Sequence, residues 1–530
     1  MLKVKNYSEN DNEIRLVKYH KKGILRVIFS RIVIFALLLF LQVGIIYYYL
    51  GKLQKYIPYY SVIMITFTII MVLYLFNCSM DSSAKLTWMV IISIVPITGA
   101  IFFAYTRVEI GHRALKKMVS GAISDSKGIM TTEKRILKKL EDDRSGIKEI
   151  SNYLNNTGCF PIFDNSQVEY YPSGEDCFPV LLERLKNAKE YIFMEFFIVE
   201  EGIMWGRILK ILADKVKEGV EVRVMYDGMC EMQLLPYNYS ERLKQLGIQA
   251  KSFAPIHPLI STYFNYRDHR KVVVIDGEYA LNGGINLADE YINKKYRFGY
   301  WKDTAIMVTG NAVKAYTLMF LQMWSSGDHD REFEKYLRTP KSGREIKAPG
   351  FVLPYSDIPL DDDKVGENVY MDVLNRASRY VHIMTPYLIL DDEMKNAIKY
   401  AAMRGVDVKL ILPGIPDKKA AYALAKSHYS ELINAGVKIY EFTTGFVHAK
   451  VFVSDDEKAI VGTINLDYRS LYHHFECATY MYKTDCISEI ENDYQLMLRK
   501  CRIVTKDSIK KEKIIYKMVG GVVKTFAPLM

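Results

Sequence analysis

The chain has few cysteines, and their arrangement suits neither a metal site nor a disulfide framework. Its 530 residues include seven cysteines, and these form no Cys-x-x-Cys pair and no His/Cys spacing typical of zinc sites. An odd, scattered set of cysteines is typical of free, partly buried thiols. The sequence therefore predicts no structural zinc and no disulfide scaffold.

Charged residues are missing from three stretches near the N-terminus, residues 32–50, 59–76 and 86–105. Each is close to the roughly 20 apolar residues that a helix needs to cross a bilayer. One such stretch alone could be a buried core helix, but three in succession favour membrane insertion. The first starts too late and lacks a small-residue cleavage site, so an anchor is expected rather than a removed signal peptide. We expect a multi-pass membrane region over residues 1–110.

The basic residues around these stretches leave the orientation open. Eight Lys/Arg residues precede residue 32, and Arg107, Arg113, Lys116 and Lys117 follow the third stretch. Three crossings would put these two basic flanks on opposite faces of the membrane, against the positive-inside rule. Either the positive-inside rule does not hold at one of the two flanks, or one stretch does not cross the bilayer and instead lies in the membrane interface or enters and leaves on the same face.

From about residue 151 onward, short apolar runs alternate with helical stretches. Strands are predicted over 191–199, 220–226, 380–388 and 406–412, and helices over 206–218, 239–246, 392–404 and 418–435. This alternation favours α/β sandwiches built on mainly parallel or mixed sheets. Because the order repeats, we expect two pseudo-symmetric halves, residues 151–345 and 346–505, after a helical linker over 111–150.

The most informative feature of the sequence is a pattern of residues that occurs twice, 179 positions apart. The first copy is His269, Lys271, Asp276, Gly283, Gly284 and Asn286, and the second is His448, Lys450, Asp455, Gly462, Thr463 and Asn465. A single H-x-K-x4-D match could be accidental in a chain of this length. Two copies with the same G-[GT]-x-N continuation are hard to attribute to chance, so we expect the function to depend on the repeat.

Each copy combines residues suited to binding and transferring a phosphate. An unpaired ammonium is expensive to bury, so a lysine beside a histidine is a poor core pair. The lysine supplies positive charge for phosphate oxygens, while the imidazole can attack phosphorus or move a proton. Asn286 and Asn465 add amide donors. Gly283-Gly284 and Gly462-Thr463 allow the backbone to approach the phosphate closely. Two such sets around one phosphate form a transfer site that needs no metal or other cofactor.

The doubled pattern resembles the phospholipase D superfamily, and the surrounding words resemble the bacterial cardiolipin synthases within it. These words include Tyr226-Asp227-Gly228, Trp301-Lys302-Asp303-Thr304, Thr385-Pro386-Tyr387, Gly462-Thr463-Ile464-Asn465, Arg469-Ser470 and Phe475-Glu476. The resemblance covers most of residues 86–530. It implies two phospholipase D-like α/β sandwich halves with mixed sheets behind a transmembrane region, in the cytoplasmic membrane of a bacterial cell.

The resemblance also implies a reaction between two phosphatidylglycerol molecules that gives cardiolipin and glycerol. His269 would be the nucleophile and His448 the general acid and base, although the pseudo-symmetry allows the reverse. Asp303 and Glu476 would orient the imidazoles. The residues assigned to catalysis are His269, Lys271, Asp276, His448, Lys450 and Asp455, with support from Asn286, Asn465, Gly284, Thr463, Asp303 and Glu476. Of these, the two motif aspartates would brace the scaffold.

The expected partners are phosphatidylglycerol and anionic membrane lipid, without nucleic acid or a cofactor. A net charge of +10 suits anionic lipid, although basic flanks of membrane segments explain it as well and nucleic acid would also suit it. A nuclease is disfavoured by the membrane region. A phospholipase D that uses water, or a transphosphatidylase with another alcohol, would use the same residues, and an inactive scaffold would be expected to have lost one of them.

Two further features leave alternatives open. His473-His474 stands before Phe475-Glu476 where relatives often have Asn, which is consistent with an extra imidazole near the site or with a surface role. The tail, residues 506–530, alternates lysines with apolar residues. It is consistent with a basic amphipathic segment on anionic lipid or with a helix packed on the catalytic core.

Overall fold

The computed structural model describes residues 8–10, 13–16, 59–107, 110–141, 143–236, 238–255, 266–326, 331–338, 346–361, 363–512 and 514–527, together with 40, 44 and 48. Contacts along the chain divide it into two compact units. The helical unit comprises residues 21–115, 256–264 and 522–530, and the sheet unit comprises residues 1–20, 116–255 and 265–521.

Three apolar helices occupy the described part of the helical unit. They are α1 (Tyr60–Asn77), α2 (Ser82–Ile94) and α3 (Pro96–Arg107). Leu75, Trp88, Ile92 and Phe103 are buried together between them. Helix α2 begins after Asp81, whose carboxylate accepts hydrogen bonds from the first free backbone N–H groups of the helix.

The apolar stretch 86–105 is not the single continuous helix that the sequence predicts. Val95 separates α2 from α3, because Pro96 has no N–H to continue the hydrogen-bond ladder and suits the first turn of a new helix. The stretch 59–76 corresponds to α1, while 32–50 lies outside the described residues apart from positions 40, 44 and 48. Within the described ranges, no helix combines the length and apolar character required to cross a membrane.

The sheet unit begins with a short antiparallel pair, β1 (Ser8–Asn10) and β2 (Glu13–Arg15). Ile14 and Leu16 are buried in the core of the first half, so residues 13–16, which the sequence groups with the membrane region, belong to this unit. Three helices then lead to the first sheet: α4 (Ile110–Ser126), α5 (Lys134–Leu140) and α6 (Ile147–Gly158).

The first half is a mixed seven-stranded sheet with helices around it. Its strands are β3 (Ser166–Tyr171), β4 (Tyr191–Phe196), β5 (Glu221–Asp227), β6 (Gln249–Phe253), β8 (Lys271–Ile275), β9 (Tyr279–Gly283) and β11 (Ala305–Gly310), and two further strands, β7 (Arg267–Asp268) and β10 (Tyr300–Lys302), pair elsewhere. The order across the sheet is β3-β11-β9-β8-β4-β5-β6. The helices are α7 (Gly174–Lys186), α8 (Ile203–Lys217), α9 (Met229–Gln233), α10 (Tyr239–Lys244), α11 (Val313–Trp324) and α12 (Phe333–Leu337), with a 3-10 turn at Asp289–Ile292.

The second half repeats this arrangement. Its strands are β12 (Phe351–Asp357), β13 (Tyr380–Met384), β14 (Asp407–Pro413), β15 (Lys438–Phe442), β16 (Gly445–Val447), β17 (Val451–Ser454), β18 (Lys458–Gly462), β19 (His474–Tyr482) and β20 (Cys501–Ile503). The main sheet has the order β12-β19-β18-β17-β13-β14-β15-β20, which matches the first sheet strand for strand apart from β20. The helices are α13 (Val365–Arg376), α14 (Asp392–Met403), α15 (Lys419–Asn434), α16 (Tyr468–Tyr472), α17 (Cys486–Leu498), α18 (Lys506–Lys510) and α19 (Ile514–Phe526). The predicted pair of α/β halves with mixed sheets is confirmed.

Two short parallel strand pairs join the halves. Strand β7, just before the first motif histidine, pairs with the start of β19 in the second half. Strand β16, just before the second motif histidine, pairs with β10 in the first half. Each motif histidine therefore follows directly on a strand that is bound to the opposite half.

The tail packs against the second half over its first part. The Lys426 ammonium of α15 pairs with the Glu512 carboxylate, and the rings of Tyr422 and Tyr516 lie 6.0 Å apart. Ile514 and Met518 are exposed, so α19 keeps an apolar surface in addition to its contact with α15.

Candidate active site

His269 lies at the junction of the two halves, held by groups of the second half. Its backbone N–H donates to the Phe475 carbonyl over 2.9 Å, and its Nδ1 lies 2.8 Å from Glu476 Oε1. The first motif does not lie on one continuous strand. His269 falls between β7 and β8, because the chain there leaves the opposite half and enters its own sheet.

His448 occupies the equivalent position with the halves exchanged. Its backbone N–H donates to the Lys302 carbonyl over 2.7 Å, and its Nδ1 lies 2.7 Å from Asp303 Oδ2. It also falls between two strands, β16 and β17. The structure therefore brings Glu476 to His269 and Asp303 to His448, each across the boundary between the halves.

The two motif lysines are fully buried beside these imidazoles. The Lys271 ammonium donates to the His269 carbonyl over 2.5 Å, and the Lys450 ammonium donates to the His448 carbonyl. Burial lowers the pKa of Lys271 to about 8 and that of Lys450 to about 7. A buried cation without a close carboxylate is favoured when an anion enters, so both lysines are prepared to receive one.

Burial also acts on the imidazoles and on a carboxylate. It lowers the pKa of His269 well below the ordinary value and that of His448 to about 4, and the neighbouring lysines lower both further. Burial raises the pKa of Glu476, while Lys271 opposes that change. In the free protein both imidazoles are neutral near pH 7, which is the form that can act as a nucleophile or accept a proton.

The two motif asparagines differ in how they are used. The Asn286 side chain is satisfied by the protein, because its Oδ1 accepts from the Ile198 N–H over 3.0 Å and its Nδ2 donates to Tyr291 Oη over 2.7 Å. Asn465 is buried, and its Oδ1 has no hydrogen-bond partner among the described residues. The second half therefore offers an amide oxygen that is free to accept a hydrogen bond.

Gly284 and Thr463 are equivalent positions beside the two carboxylates. A Cβ on Gly284 would lie 2.0 Å from Asp303 Oδ1, so only glycine leaves room for that carboxylate. Thr463 instead donates its hydroxyl to the Glu476 carboxylate. Both residues fix the position of the carboxylate that holds the imidazole.

The motif aspartates bind backbone rather than the imidazoles. The Asp276 carboxylate accepts from the N–H groups of residues 189, 190 and 191 at 2.7 to 2.8 Å. The Asp455 carboxylate accepts from those of residues 378, 379 and 380 at 2.8 to 2.9 Å. In each half the aspartate thus fastens the end of the motif strand to the neighbouring β4 or β13.

Aromatic side chains that the motif pattern does not contain form part of the walls. The Phe197 ring lies 4.9 Å from the His269 ring, and the Tyr291 and Trp301 rings lie 5.4 and 5.3 Å from the His448 ring. Trp301 belongs to a segment that resembles the family, Trp301-Lys302-Asp303-Thr304. A single sequence carries no signal that would assign Phe197 or Tyr291 to the site.

Two groups of side chains in the described part of the chain bring three possible metal ligands within 4.8 Å of one another. One comprises His269, His474 and Glu476, and the other comprises Glu367, Asp391 and Glu393. The first group lies beside Lys271, whose ammonium would repel a cation. The chemistry of its donors therefore suits an anion with a transferable group better than a metal ion.

Two neutral imidazoles and two lysines converge on one place, and together they can transfer a phosphoryl group. One imidazole can form a covalent bond to phosphorus while the other supplies and removes a proton. The lysines can stabilise the negative charge that develops on the phosphate oxygens.

Comparison with known proteins agrees with this chemistry. The family model described as cardiolipin synthase, PLD-like domain, matches residues 181–324 and 370–498. An uncharacterized protein of Streptococcus mutans is 55% identical over 459 residues, which are 87% of this chain and 99% of that protein. A cardiolipin synthase of Alkalihalophilus pseudofirmus is 30% identical over 91% of this chain and 96% of its own length. Cardiolipin synthase 2 of Bacillus anthracis is 32% identical over 84% of this chain and 87% of its own length.

A solved structure shares the fold. The phosphatidylserine synthase of Haemophilus influenzae superimposes with a TM-score of 0.55 and 18% identity, over 72% of this chain and 97% of that one. The family model covers a segment of each half, including both copies of the motif, and the relatives align along nearly the whole chain. The chain belongs to the phospholipase D-like family of cardiolipin synthases.

Proposed function

We propose that the chain is a cardiolipin synthase, a phosphatidyltransferase that moves a phosphatidyl group from one phosphatidylglycerol to the terminal hydroxyl of another and releases glycerol. The observation that carries this proposal is the exchanged pairing of the motif histidines, in which the carboxylate of each half holds the Nδ1 of the other half's imidazole. The Nε2 of His269 is then left to meet phosphorus or a proton, and the Nε2 of His448 lies 3.3 Å from the Lys450 ammonium.

The reaction proceeds in two balanced steps. The Nε2 of one histidine attacks the donor phosphorus, the bond from phosphorus to the glycerol oxygen breaks, and the second histidine protonates that oxygen. The same second histidine then takes the proton from the acceptor hydroxyl, whose oxygen attacks phosphorus and displaces the first imidazole. The near-symmetric geometry allows either histidine to be the nucleophile.

The lysines and the carboxylates would assist both steps. Lys271 and Lys450 would hold the phosphate oxygens and stabilise their charge in the transition state. Glu476 and Asp303 would fix the tautomer and direction of the imidazoles and stabilise the imidazolium form. Asp276 and Asp455 would act on the motif scaffold, since backbone N–H groups occupy their carboxylates.

We also propose that the helical unit holds the enzyme at the cytoplasmic membrane of the cell, where its lipid substrates are. Large apolar side chains of α1 and α2 are exposed, among them Ile65, Phe76, Leu86 and Ile94. Many large apolar side chains exposed on the same helices are expected to be covered by another apolar phase, and lipid acyl chains match them.

The function is tested with the purified full-length chain and phosphatidylglycerol in vesicles, without nucleotide, and with the lipids resolved by mass. We expect cardiolipin and glycerol in equal amounts. Phosphatidic acid as the main product would instead make the protein a hydrolase, and no product from folded protein would contradict a phosphatidylglycerol donor.

The histidine variants give the matched control for this experiment. His269→Asn and His448→Asn should each lower the rate of glycerol release by about a thousandfold, since acid–base and nucleophilic groups contribute about 10²–10⁴. Arg207→Gln replaces an exposed charge on α8 and should retain full rate. An equal loss of rate in all three variants would mean that the loss does not come from removing the catalytic imidazoles.

A further inference from the structure

The two sides of the active site carry opposite charges at equivalent positions. Glu290 follows Asn286 by four residues, and Arg469 follows Asn465 by four residues. Tyr291, next to Glu290, lies in ring contact with His448. Arg469 stands on the short helix α16 that leads into β19, the strand that carries Glu476 to His269. A glutamate therefore marks the His448 side and an arginine marks the His269 side.

Arg469 is a cation without a close partner. Its guanidinium forms no hydrogen bond and no ion pair among the described residues, and it is only partly exposed. Burial lowers the pKa of Arg469, and Asp467 opposes that change from beyond ion-pair distance. Glu290, by contrast, pairs with Arg297 over 3.3 Å. An unpaired, half-buried guanidinium suits a phosphate or carboxylate ligand.

His474 adds a polar ring on the same side, whose Nδ1 lies 3.8 Å from Glu476 Oε1. A ring nitrogen of His474 lies within 4.8 Å of a ring nitrogen of His269, and only 8% of the residue is exposed. Neither Nδ1 nor Nε2 has a hydrogen-bond partner among the described residues. Burial, followed by the charge of Arg469, keeps its pKa well below the ordinary value. A neutral imidazole offers one donor and one acceptor, which is what a hydroxyl group needs.

The equivalent place beside His448 is less polar. There Trp301 takes the position of His474, two residues before the carboxylate, and its indole can only donate. Tyr291, Trp301 and Phe446 place three aromatic rings within 6.0 Å of the His448 ring. A polar, negatively charged head group is therefore better matched on the His269 side.

We propose that Arg469 and His474 form the acceptor site, in which Arg469 binds the phosphodiester that does not react and His474 binds the glycerol hydroxyls of the second phosphatidylglycerol. This inference rests on the proposed function. It names the residues that select an anionic lipid, rather than water or a small alcohol, as the acceptor.

The proposal also assigns the two histidines. Transfer at phosphorus places the entering and leaving groups in line, so a head group beside His269 lies opposite His448. His448 Nε2 then forms the bond to phosphorus, and His269 protonates the departing glycerol. In the second step His269 takes the proton of the acceptor hydroxyl, the new oxygen–phosphorus bond forms, and the bond to His448 breaks. This is the reverse of the order that the sequence resemblance implies.

The test separates acceptor binding from chemistry. Wild-type, Arg469→Gln, Arg469→Lys and the control Arg207→Gln are given phosphatidylglycerol vesicles with and without 1-butanol, and cardiolipin, phosphatidylbutanol and glycerol are quantified. Arg469→Gln should lower cardiolipin formation about tenfold or more through a higher KM, as expected for a lost charge-assisted hydrogen bond. Phosphatidylbutanol formation should change by less than about twofold, and Arg469→Lys should restore part of the loss.

The outcomes are distinct. A wild-type chain that makes no cardiolipin refutes the proposed function, whatever the variants do. If wild-type makes cardiolipin, two results for Arg469→Gln would refute the acceptor site. One is an equal loss of cardiolipin and phosphatidylbutanol, and the other is no loss of either product. His474→Phe, which has neither donor nor acceptor, should raise the KM for phosphatidylglycerol without slowing transfer to butanol, and an unchanged KM would remove His474 from the site.

The assignment of the histidines has its own measurement. Wild-type is mixed with phosphatidylglycerol, denatured at mildly alkaline pH where phosphohistidine survives, digested and analysed by mass. The phosphatidyl group should be found on the peptide that contains His448. Its presence on the peptide with His269 would overturn the in-line placement of the acceptor.

Discussion

At the scale of single residues, the site is built by exchange between two copies of one motif. Each histidine is supplied by one half and held by a carboxylate of the other. An imidazole whose Nδ1 is held by a carboxylate has a defined direction, so in the proposed reaction its Nε2 would be the atom that meets the phosphate. Neither copy is complete without the other, which explains why both copies retain every motif residue.

The buried lysines make the reaction depend on pH. Burial lowers the pKa of Lys450 to about 7 and that of Lys271 to about 8, and only the ammonium form attracts phosphate. As the pH rises through this range the free enzyme loses these charges, so kcat/KM for phosphatidylglycerol should fall. Bound phosphate raises both pKa values, so kcat should fall only at higher pH. Initial rates from pH 5.5 to 9.5 measure both profiles.

An arginine substitution tests the origin of this decrease. A guanidinium stays charged throughout the range, so Lys450→Arg should move the alkaline decrease of kcat/KM to higher pH even if the rate is lower. A profile unchanged in position would assign the decrease to another group. Lys409→Arg, at a partly exposed lysine on β14 paired with Asp407, is the matched control and should leave the profile as it is.

Several site residues could be predicted from the sequence and others could not. The histidines, the lysines and the two carboxylates could be predicted, because they stand at fixed spacings in the repeated motif and in segments that resemble the family. Phe197 and Tyr291 reach the imidazoles only through the fold, since no motif places them. Asn286 and Asn465 hold equivalent positions in the repeated motif, so the sequence predicts the same role for both. In the structure the Ile198 N–H and Tyr291 Oη form hydrogen bonds with the Asn286 side chain.

At the scale of secondary structure, the motif aspartates fasten strands. The backbone N–H groups at residues 378–380 outweigh the effect of burial and lower the pKa of Asp455. A carboxylate with a lowered pKa stabilises the folded state above its unfolded pKa of about 4 and loses that contribution as the pH falls through the folded pKa.

Asp455→Ala should therefore destabilise the protein by about 1–2 kcal/mol near pH 7, because it leaves backbone donors without their acceptor. The difference from wild-type should shrink below about pH 4. Thermal or urea unfolding at several pH values measures it. A constant difference across pH would mean that the effect is loss of packing rather than loss of charge.

The break between α2 and α3 is a second feature of this scale. Apolar composition alone predicts one helix over 86–105, but Pro96 starts a new one and the Trp88 and Phe103 rings meet at 5.3 Å. Composition cannot reveal this packing, because it depends on Gly99 lying against the backbone of α2.

Gly99 offers a direct test of that packing. A Cβ at this position would lie 3.1 Å from Ile92 Cα, so Gly99→Leu should separate α2 from α3 and lower the yield of folded protein in detergent. Gly121→Ala, in α4, meets only a side-chain atom at 3.4 Å and should be neutral or slightly stabilising as a helix substitution. Equal yields for both variants would contradict the close contact.

At the scale of the whole sheet unit, the halves are joined by buried groups that the internal repeat does not show. The Lys302 ammonium of β10 lies 2.6 Å from Asp493 of α17 in the second half, and Lys302 is 3% exposed. The Lys302 carbonyl also accepts from the His448 N–H. The sequence predicts two halves correctly, but a repeat in one chain carries no information on which charges pair between them.

A double-mutant cycle tests whether this ion pair links folding to activity. Asp493→Leu leaves the buried Lys302 ammonium without its carboxylate, which should cost about 3–5 kcal/mol of unfolding free energy. Lys302→Met should cost less, because the Asp493 carboxylate is partly exposed and still accepts from Tyr170 Oη. The combined variant has no buried charge left at this place and should recover most of that loss, with cardiolipin formation recovering alongside because Lys302 holds His448 through its backbone rather than its side chain. Additive losses in the double variant would show that the two residues act independently and that the halves are joined elsewhere.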